Sequence, residues 1–253
     1  MVRRYTVITL FPQLVREAMT YGITGRAIDR GLCRLDLVNP RDFSGNARGA
    51  VDDTSYGGGP GMVMRVEPLR GALAHVRAES PSPYVICLTP QGRRLDQAAV
   101  VELAEHPHLV LVAGRYEGID ERFVERDCAA EWSIGDYVLS GGEFAALVVL
   151  DAVIRMLPEV LGDDESARTD SFGTGLLDWP HYTRPPCIGD QCVPEVLLSG
   201  DHAAIARWRR KQALGRTWQR RPDLLAGVTL APKDAELLRE YQDEAKSGRC
   251  DGK

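Results

Sequence analysis

Short apolar runs alternate with amphipathic stretches through the first two thirds of the chain. We predict β-strands where a short run is rich in β-branched residues, at 5–10, 34–38, 84–88 and 109–113, with a weaker strand at 130–134. We predict helices where apolar residues recur every three or four positions, at 13–20, 23–30, 67–78, 96–105 and 119–126. Strands that alternate with helices in this way indicate an α/β fold with a mostly parallel sheet.

The pattern changes after the last predicted strand. Residues 141–157 are predicted to form a helix that is apolar on nearly all sides, which is typical of a helix in a core or a subunit interface. From 162 to 178 the composition shifts to Asp, Glu, Ser, Thr and Gly without periodicity. We therefore predict an α/β domain at 1–161, a flexible interdomain linker at 162–178, and a small α-helical domain at 179–253.

Composition narrows the class of protein. The chain has 253 residues, of which 44% are hydrophobic, enough for a sizeable core in one large or two modest domains. The longest apolar run, 144–150, is far shorter than the roughly 18–20 residues that a membrane span needs, and no leader precedes the first strand. We expect a cytoplasmic protein that does not bind membranes.

Charge is unevenly distributed along the chain. The net charge of −5 argues weakly against a nucleic-acid partner. Between 201 and 221, however, one acidic residue stands against seven basic ones, a local charge of +6, while 163–165 and the tail after Asp234 are acidic. We interpret 201–221 as a basic helix that contacts RNA phosphates, with Trp208 and Trp218 available for stacking. A solvated charged face is the alternative.

Six cysteines are scattered along the chain, at 33, 87, 128, 187, 192 and 250. Those at 33 and 87 lie in apolar runs and are expected in the core. Cys187 and Cys192, with His181 and His202 nearby, have a spacing that zinc permits, but no second close pair completes a standard site. We favour reduced structural thiols and predict no metal site.

Three loops rich in glycine or proline follow three predicted strands, at 89–93, 114–122 and 133–143. Glycine allows a backbone or a flat ligand to approach closely, so neighbouring loops of this kind would wall one ligand crevice with peptide groups. Ordinary tight turns are the alternative for any single loop. The first strand has no glycine fingerprint after it, and no phosphate-loop signature occurs, which disfavours dinucleotide and nucleoside-triphosphate chemistry.

These loops, together with the segments 56–62, 170–172, 177–185 and 200–203, resemble the trefoil-knot (SPOUT) methyltransferases. Within that superfamily the match is to bacterial tRNA (guanine-N1)-methyltransferases, and it runs in order from about residue 5 to about residue 225. The resemblance implies a SPOUT fold in which a C-terminal trefoil knot of the α/β domain forms the donor site. It also implies a homodimer through the helix at 141–157, with a site composed from both subunits.

The resemblance implies that S-adenosylmethionine binds at the three loops. The residues implied to bind it are Thr89, Pro90, Gly92, Gly114, Tyr116, Glu117, Gly118, Ile134, Gly135, Asp136, Tyr137, Val138, Leu139, Gly141 and Gly142. Tyr116 and Tyr137 would give apolar contacts, with core aromatics as the alternative. Glu117 is a candidate for holding the methionine end of the donor or a Mg²⁺ ion.

Two residues are candidates for catalysis. Methylating N1 of guanine requires a base for the N1 proton and a positive group near O6, where negative charge develops. The resemblance assigns the first role to Asp170 and the second to Arg155, whose guanidinium suits the O6 and N7 edge of guanine. The residues alone leave alternatives: a solvated acid in an acidic linker, and a helical pair between Arg155 and Asp151.

The predicted partner is the tRNA anticodon stem-loop, from which the target guanine must be extruded. The residues predicted to contact RNA are Tyr56, His181, Arg184, Arg209, Arg210, Lys211 and Arg216. One departure concerns the loop at 52–62, where Thr54 and Ser55 replace the family's usual Arg-Pro. This removes a charge near the expected substrate loop and puts a phosphate contact there in doubt.

The resemblance therefore predicts methylation of N1 of the guanosine immediately 3′ of the anticodon, position 37, which maintains the reading frame. Another SPOUT methyltransferase, acting on a different base or on a 2′-hydroxyl, is the alternative enzyme. An RNA-binding regulator without turnover is the non-enzymatic alternative. A hydrolase is disfavoured because Ser140 lacks the glycine two positions upstream that a nucleophile elbow requires.

Overall fold

The computed structural model describes residues 2–45, 48–162 and 170–247 of the chain. The chain divides into two compact units, Met1–Asp164 and Glu165–Lys253. The first is an α/β unit and the second is mainly helical, so the predicted fold class is confirmed. The trefoil knot stays a prediction from the resemblance.

A five-stranded parallel sheet forms the centre of the first unit. Its strands are β1 (Arg3–Ile8), β2 (Cys33–Val38), β5 (Tyr84–Arg94), β6 (His108–Ala113) and β7 (Ala130–Ser133). They lie side by side in the order β2-β1-β6-β5-β7, and every pairing is parallel. The loops at 114–122 and 133–143, which follow β6 and β7, therefore lie on either side of β5, which contains the segment 89–93.

Helices cover both faces of this sheet. They are α1 (Pro12–Ala18), α2 (Gly22–Asp29), α3 (Val66–Glu79), α4 (Gln97–Ala104), α5 (Glu121–Asp127) and α6 (Glu143–Ile154). The central strand β6 shows the reason: Leu109 and Leu111 face a core formed with α1, α2, α4 and α6, while Val110 and Val112 face one formed with α3 and α5. A parallel strand buried on both faces is apolar along nearly its whole length, and β6 is apolar from Leu109 to Ala113, after His108.

The strand β5 departs from the prediction. It was expected to end at Leu88, with a loop at 89–93, but it continues to Arg94. Its register against β7 shifts, because Leu88 and Arg93 both pair with Trp132. The intervening residues therefore bulge out of the strand, which keeps them available to a ligand while the strand resumes. Because residues 89–93 lack the apolar pattern of a strand, the sequence did not indicate that β5 continues through them.

A short hairpin projects from the same unit. It comprises β3 (Asp52–Asp53) and β4 (Val63–Met64), which pair antiparallel, and it carries the glycine-rich loop with Tyr56. Gly57, Gly58 and Gly61 have φ between 77° and 83°, which explains the glycines because a side chain is disfavoured there.

The second unit contains α7 (Glu195–Leu198), α8 (His202–Arg220) and α9 (Pro232–Lys246), with a small hairpin of β8 (Cys187–Ile188) and β9 (Gln191–Cys192). Leu176, Leu214 and Leu237 form its core. Leu176 belongs to the stretch predicted as a linker, so the end of that stretch is packed. The rest of the prediction falls largely on 163–169, which lie outside the described residues.

The prediction of reduced thiols at Cys187 and Cys192 is wrong. The two residues are direct partners across the β8–β9 hairpin, with Cα atoms 4.1 Å apart, and form a disulfide. Four residues separate the cysteines, and the central Gly189-Asp190 pair is typical of a two-residue hairpin turn, a signal that our sequence analysis did not use. No described helix is long and apolar enough to cross a membrane.

Candidate active site

A pocket of about 400 Å³ lies at the carboxyl edge of the sheet, between the bulge of β5 and the loops that follow β6 and β7. This volume is within the range of small-molecule sites. The predicted donor-binding residues that line it are Thr89, Pro90, Gly114, Tyr116, Glu117, Gly118, Ile134, Gly135, Tyr137, Val138, Leu139, Gly141 and Gly142. The parallel sheet thus brings together loops that are far apart in sequence.

Two predicted donor-binding residues, Gly92 and Asp136, do not line the pocket. A Cβ atom at Gly92 would lie 2.4 Å from the backbone nitrogen of Trp132. This glycine is therefore needed for the close approach of β5 to β7, and its contact with a ligand stays a prediction. Asp136 lies in the same loop as lining residues, but its side chain is not part of the wall.

Several lining residues were not predicted. They are Cys87, Leu88, Gln91, Arg115, Ile119, Glu121, Val124, Glu131, Trp132, Ser133 and Ala145. Many of them belong to strands or helices rather than to the loops, so they form the base of the pocket. The apolar ones, such as Leu88, Val124 and Trp132, have the appearance of core residues, and no sequence signal separates a core residue from one at the base of a pocket.

The backbones of two loops touch at Gly114 and Gly142. The amide of Gly142 donates a hydrogen bond to the carbonyl of Gly114 over 2.8 Å. A Cβ atom at Gly142 would lie 2.8 Å from the Cα of Ala113. A side chain at Gly142 is therefore excluded by backbone atoms that cannot move independently. This contact sets the width of the pocket between the end of β6 and the start of α6.

A buried ion pair reinforces the same junction. The Glu143 side chain is fully buried, and its carboxylate accepts from Arg115 Nε and from the Thr9 hydroxyl, each over 2.8 Å. Arg115 also donates to the Ser140 carbonyl over 3.0 Å, and its guanidinium lies 4.4 Å from the ring centre of Phe11. Arg115 and Glu143 therefore hold the pocket loops in place. The sequence placed both in the glycine-rich motifs without indicating that they pair.

Two tyrosines line the pocket: Tyr116 has an unusual backbone conformation, and Tyr137 packs closely against a glycine. Tyr116 has a φ of 62°, in the left-handed region that non-glycine residues rarely adopt, and its side chain is exposed. Such conformations are frequent at ligand sites because surrounding contacts impose them. The Tyr137 ring folds back over Gly135, where a Cβ atom would lie 2.5 Å from it. Neither tyrosine is a core aromatic, since both side chains are about half exposed.

The loop that carries Tyr56 is anchored beside this pocket. The Glu117 amide donates to the Met62 carbonyl, and the Met64 amide donates to the Gly118 carbonyl, each over 2.9 Å. Tyr56 itself is 99% exposed. Its ring is therefore available to a partner on a loop whose base is bonded to the wall of the pocket.

The structure places the two catalytic candidates in different units. Arg155 is the half-buried C-cap of α6, and its amide donates to the Asp151 carbonyl. Asp170 is half-buried in the second unit, where its carbonyl accepts from the Gly173 amide over 3.0 Å.

The basic residues of α8 divide into two groups. Arg210 pairs with Asp234 and Lys211 with Glu244, both at 2.7 Å, and both acids belong to α9. The bond from Arg210 lowers the pKa of Asp234. These pairs hold α8 against α9, which argues against the predicted phosphate contacts of Arg210 and Lys211. Trp208 is buried and likewise unsuited to stacking on a base.

Other predicted RNA contacts keep accessible side chains. Arg209 and Arg216 are seven residues apart, about two helical turns, and so lie on one face of α8. Within the described part of the chain neither forms an ion pair. His181 and Arg184 are exposed, and His181 Nε2 lies 2.7 Å from an Asp178 carboxylate oxygen. This charge distribution is compatible with an RNA-binding surface.

Comparison with known proteins identifies the family. The family profile described as tRNA (Guanine-1)-methyltransferase TrmD matches residues 3–227. The chain belongs to this family. A tRNA (guanine-N(1)-)-methyltransferase of Methylococcus capsulatus is 58% identical over 242 residues, covering 95% of this chain and 96% of the relative. Its counterpart in Chromohalobacter salexigens is 53% identical over 254 residues, covering 98% and 95%.

A solved structure of the family agrees with this assignment. The crystal structure of tRNA (m1G37) methyltransferase from Aquifex aeolicus superposes with a TM-score of 0.73 at 38% identity, covering 89% of this chain and 96% of that chain. The family prediction and the enzyme class are confirmed. The roles of individual residues stay predictions. Among the described residues, no group of three or more His, Cys, Asp or Glu side chains could hold a metal ion.

Proposed function

We propose that this chain transfers a methyl group from S-adenosylmethionine to N1 of the guanosine at position 37 of tRNA, in the cytoplasm, and so maintains the reading frame. The observation that most strongly supports this function is the pocket at the carboxyl edge of the sheet, in a chain that matches the methyltransferase family over residues 3–227. A ligand at this edge is what a parallel α/β sheet favours.

The pocket suits an adenosine and a sulfonium side chain. Apolar groups at Leu88, Ile134 and Leu139 offer contact to a base, and the loops at Gly114 and Gly141 expose peptide groups to its polar edge. The buried Arg115–Glu143 pair keeps these loops in position. Because the two charges neutralise each other, the pair adds no net charge beside the donor.

Asp170 and Arg155 supply the chemistry of the acceptor. The Asp170 carboxylate takes the N1 proton as the new nitrogen–carbon bond forms and the sulfonium–carbon bond breaks. The Arg155 guanidinium stabilises the charge that develops on O6. A positioned base contributes about 10²–10⁴ to the rate. Glu117 lines the pocket, but the described residues around it do not form a Mg²⁺ site, so no step is assigned to that ion.

The exposed face of α6 supports a homodimer. Phe144 and Val148 are 52% and 48% exposed and lie one turn apart, whereas seven other residues of the helix are buried. A second copy of the chain would cover this apolar stripe. A Val148→Asp substitution should convert the dimer to a monomer in light scattering, and an unchanged mass would contradict the assignment of this face.

Methyl transfer from labelled S-adenosylmethionine to unmodified tRNA tests the function. Label should appear as 1-methylguanosine at position 37 and disappear when that guanosine is replaced by adenosine. Asp170→Ala should lower the rate by about 10²–10⁴ while donor binding is retained. Asp190→Ala, which removes an exposed acid of the same unit, is the control and should be active. Label on another base or on a 2′-hydroxyl would assign a different SPOUT activity.

A further inference from the structure

A second cavity, of about 820 Å³, lies entirely within the helical unit. The segment 179–186 forms much of its wall, and α7 and α8 supply the remainder. The lining side chains from the helices and the preceding loop are Val193, Leu197, Leu198, Ile205 and Arg209. This cavity contains none of the residues of the donor pocket.

Its wall combines aromatic surface with positive charge. The Arg209 guanidinium lies 5.1 Å from the ring centre of Trp179, and the His181 ring centre lies 5.7 Å from the same ring. Trp179 is half-buried, and Tyr182 is 42% exposed. Aromatic rings and arginine planes are the surfaces on which unpaired bases stack in proteins that bind single-stranded RNA.

The charge of the cavity is not neutralised from within. Arg184 and Arg209 belong to the lining, whereas no carboxylate does. In the part of the chain that the structure describes, neither arginine has an acidic partner. This contrasts with Arg207 and Arg210 on the same helix, which pair with Glu240 and Asp234 of α9. The fold thus neutralises the cations that face α9 and leaves those at the cavity available to an anion.

We propose that this cavity binds one unpaired nucleotide of the RNA loop, other than the guanosine that is methylated. Its base stacks on Trp179, and its phosphate is bound by Arg209 and Arg184. The apolar side chains of Leu197 and Ile205 keep the base out of water. The inference rests on the proposed function, since it takes the RNA loop as the substrate, and it adds a second recognition site to that function.

Fluorescent stem-loops test this site directly. An anticodon stem-loop carrying 2-aminopurine at one loop position at a time is titrated with the full chain. One position other than 37 should show quenching that is lost in Trp179→Ala and retained in Trp179→Phe, because phenylalanine preserves a stacking face. Circular dichroism of each variant checks that the helical unit is folded.

Kinetics provide the second readout. Trp179→Ala should raise KM for the RNA by about 5- to 150-fold, the effect of losing one stacked base, with kcat and the KM for S-adenosylmethionine little changed. Arg209→Ala should also raise KM for the RNA. The matched control is Arg207→Ala, which removes a cation of the same helix that already pairs with Glu240.

The outcomes separate this site from the enzyme's activity. If the wild type methylates position 37 but no quenching depends on Trp179, the cavity proposal is overturned and the function stands. Equal effects of Arg207→Ala and Arg209→Ala would also overturn it. If the wild type methylates nothing, the proposed function fails, and the quenching experiment still decides whether the cavity binds a nucleotide.

Discussion

The buried pair between Arg115 and Glu143 yields a quantitative prediction. Replacing Arg115 by Ala leaves the Glu143 carboxylate in a fully buried position with the Thr9 hydroxyl as its remaining described side-chain donor. Removing one partner of a buried pair costs about 3–5 kcal/mol because the other charge stays desolvated. For a unit of this size that corresponds to a fall in Tm of about 6–20 °C.

The size of the effect follows from the geometry. Arg115 is 19% exposed in its side chain and Glu143 is not exposed at all, so water cannot replace the lost bond at the carboxylate. Arg115→Ala also removes the bond to the Ser140 carbonyl, which holds the loop before α6. We therefore expect weaker binding of S-adenosylmethionine as well as lower stability.

Chemical denaturation of the first unit, followed by circular dichroism, measures this cost. The control is Arg30→Ala, which removes an exposed ion pair with Glu159 at 3.6 Å and an exposed hydrogen bond to the Glu159 carbonyl at 2.8 Å, and should cost at most about 2 kcal/mol. The double variant Arg115→Met with Glu143→Leu should be more stable than Arg115→Ala, because neither charge is then left unpaired. Equal destabilisation by Arg115→Ala and Arg30→Ala would refute the argument.

Three further predictions use other parts of the molecule. Gly142→Ala should abolish donor binding in calorimetric titration, since its Cβ would meet backbone at the end of β6, whereas Gly162→Ala, with open space around it, should bind normally. Burial lowers the pKa of His108, so the unfolded state takes up a proton before the folded state as the pH falls below about 6.5, and the free energy of unfolding should decrease from there towards the folded-state pKa. Thermal melts at pH 7.5 and 5.5 should show this loss of stability, and a His108→Gln variant should lack it. Arg216→Ala should reduce the salt dependence of stem-loop binding by about 0.7–1 in log–log slope, whereas Arg210→Ala, already paired with an acid of α9, should leave the slope unchanged.

The sequence alone determined the elements and their class. Apart from the extension of β5 and the short β3–β4 hairpin, the strands and helices of the first unit were predicted close to their observed bounds, because an apolar run or a periodic stripe is a local property that burial requires. The glycine-rich loops were likewise predicted to converge, since loops at the carboxyl ends of parallel strands meet at one edge. The family followed from motifs that are long, unusual and ordered.

Contacts between distant residues were decided by the tertiary structure. The positive segment at 201–221 was predicted as an RNA-binding surface, but the acidic tail folds back as α9 and neutralises Arg210 and Lys211. Gly92 was predicted from the sequence as a ligand contact, and only the fold shows that it also allows β5 to approach β7. Gly189-Asp190 is a hairpin turn pair, but only the paired strands β8 and β9 show that Cys187 and Cys192 lie opposite each other and form a disulfide.

The physical reason is common to these cases. A sequence pattern shows what a residue offers, such as a charge, a thiol or a missing side chain. Whether that group meets a ligand, water or another part of the chain depends on which distant segments the fold brings to it, and an opposite charge or a backbone atom within about 3 Å decides its role. The arginines and aromatic rings around Trp179 became a candidate site only once the fold had paired the neighbouring cations of the same helix with acids.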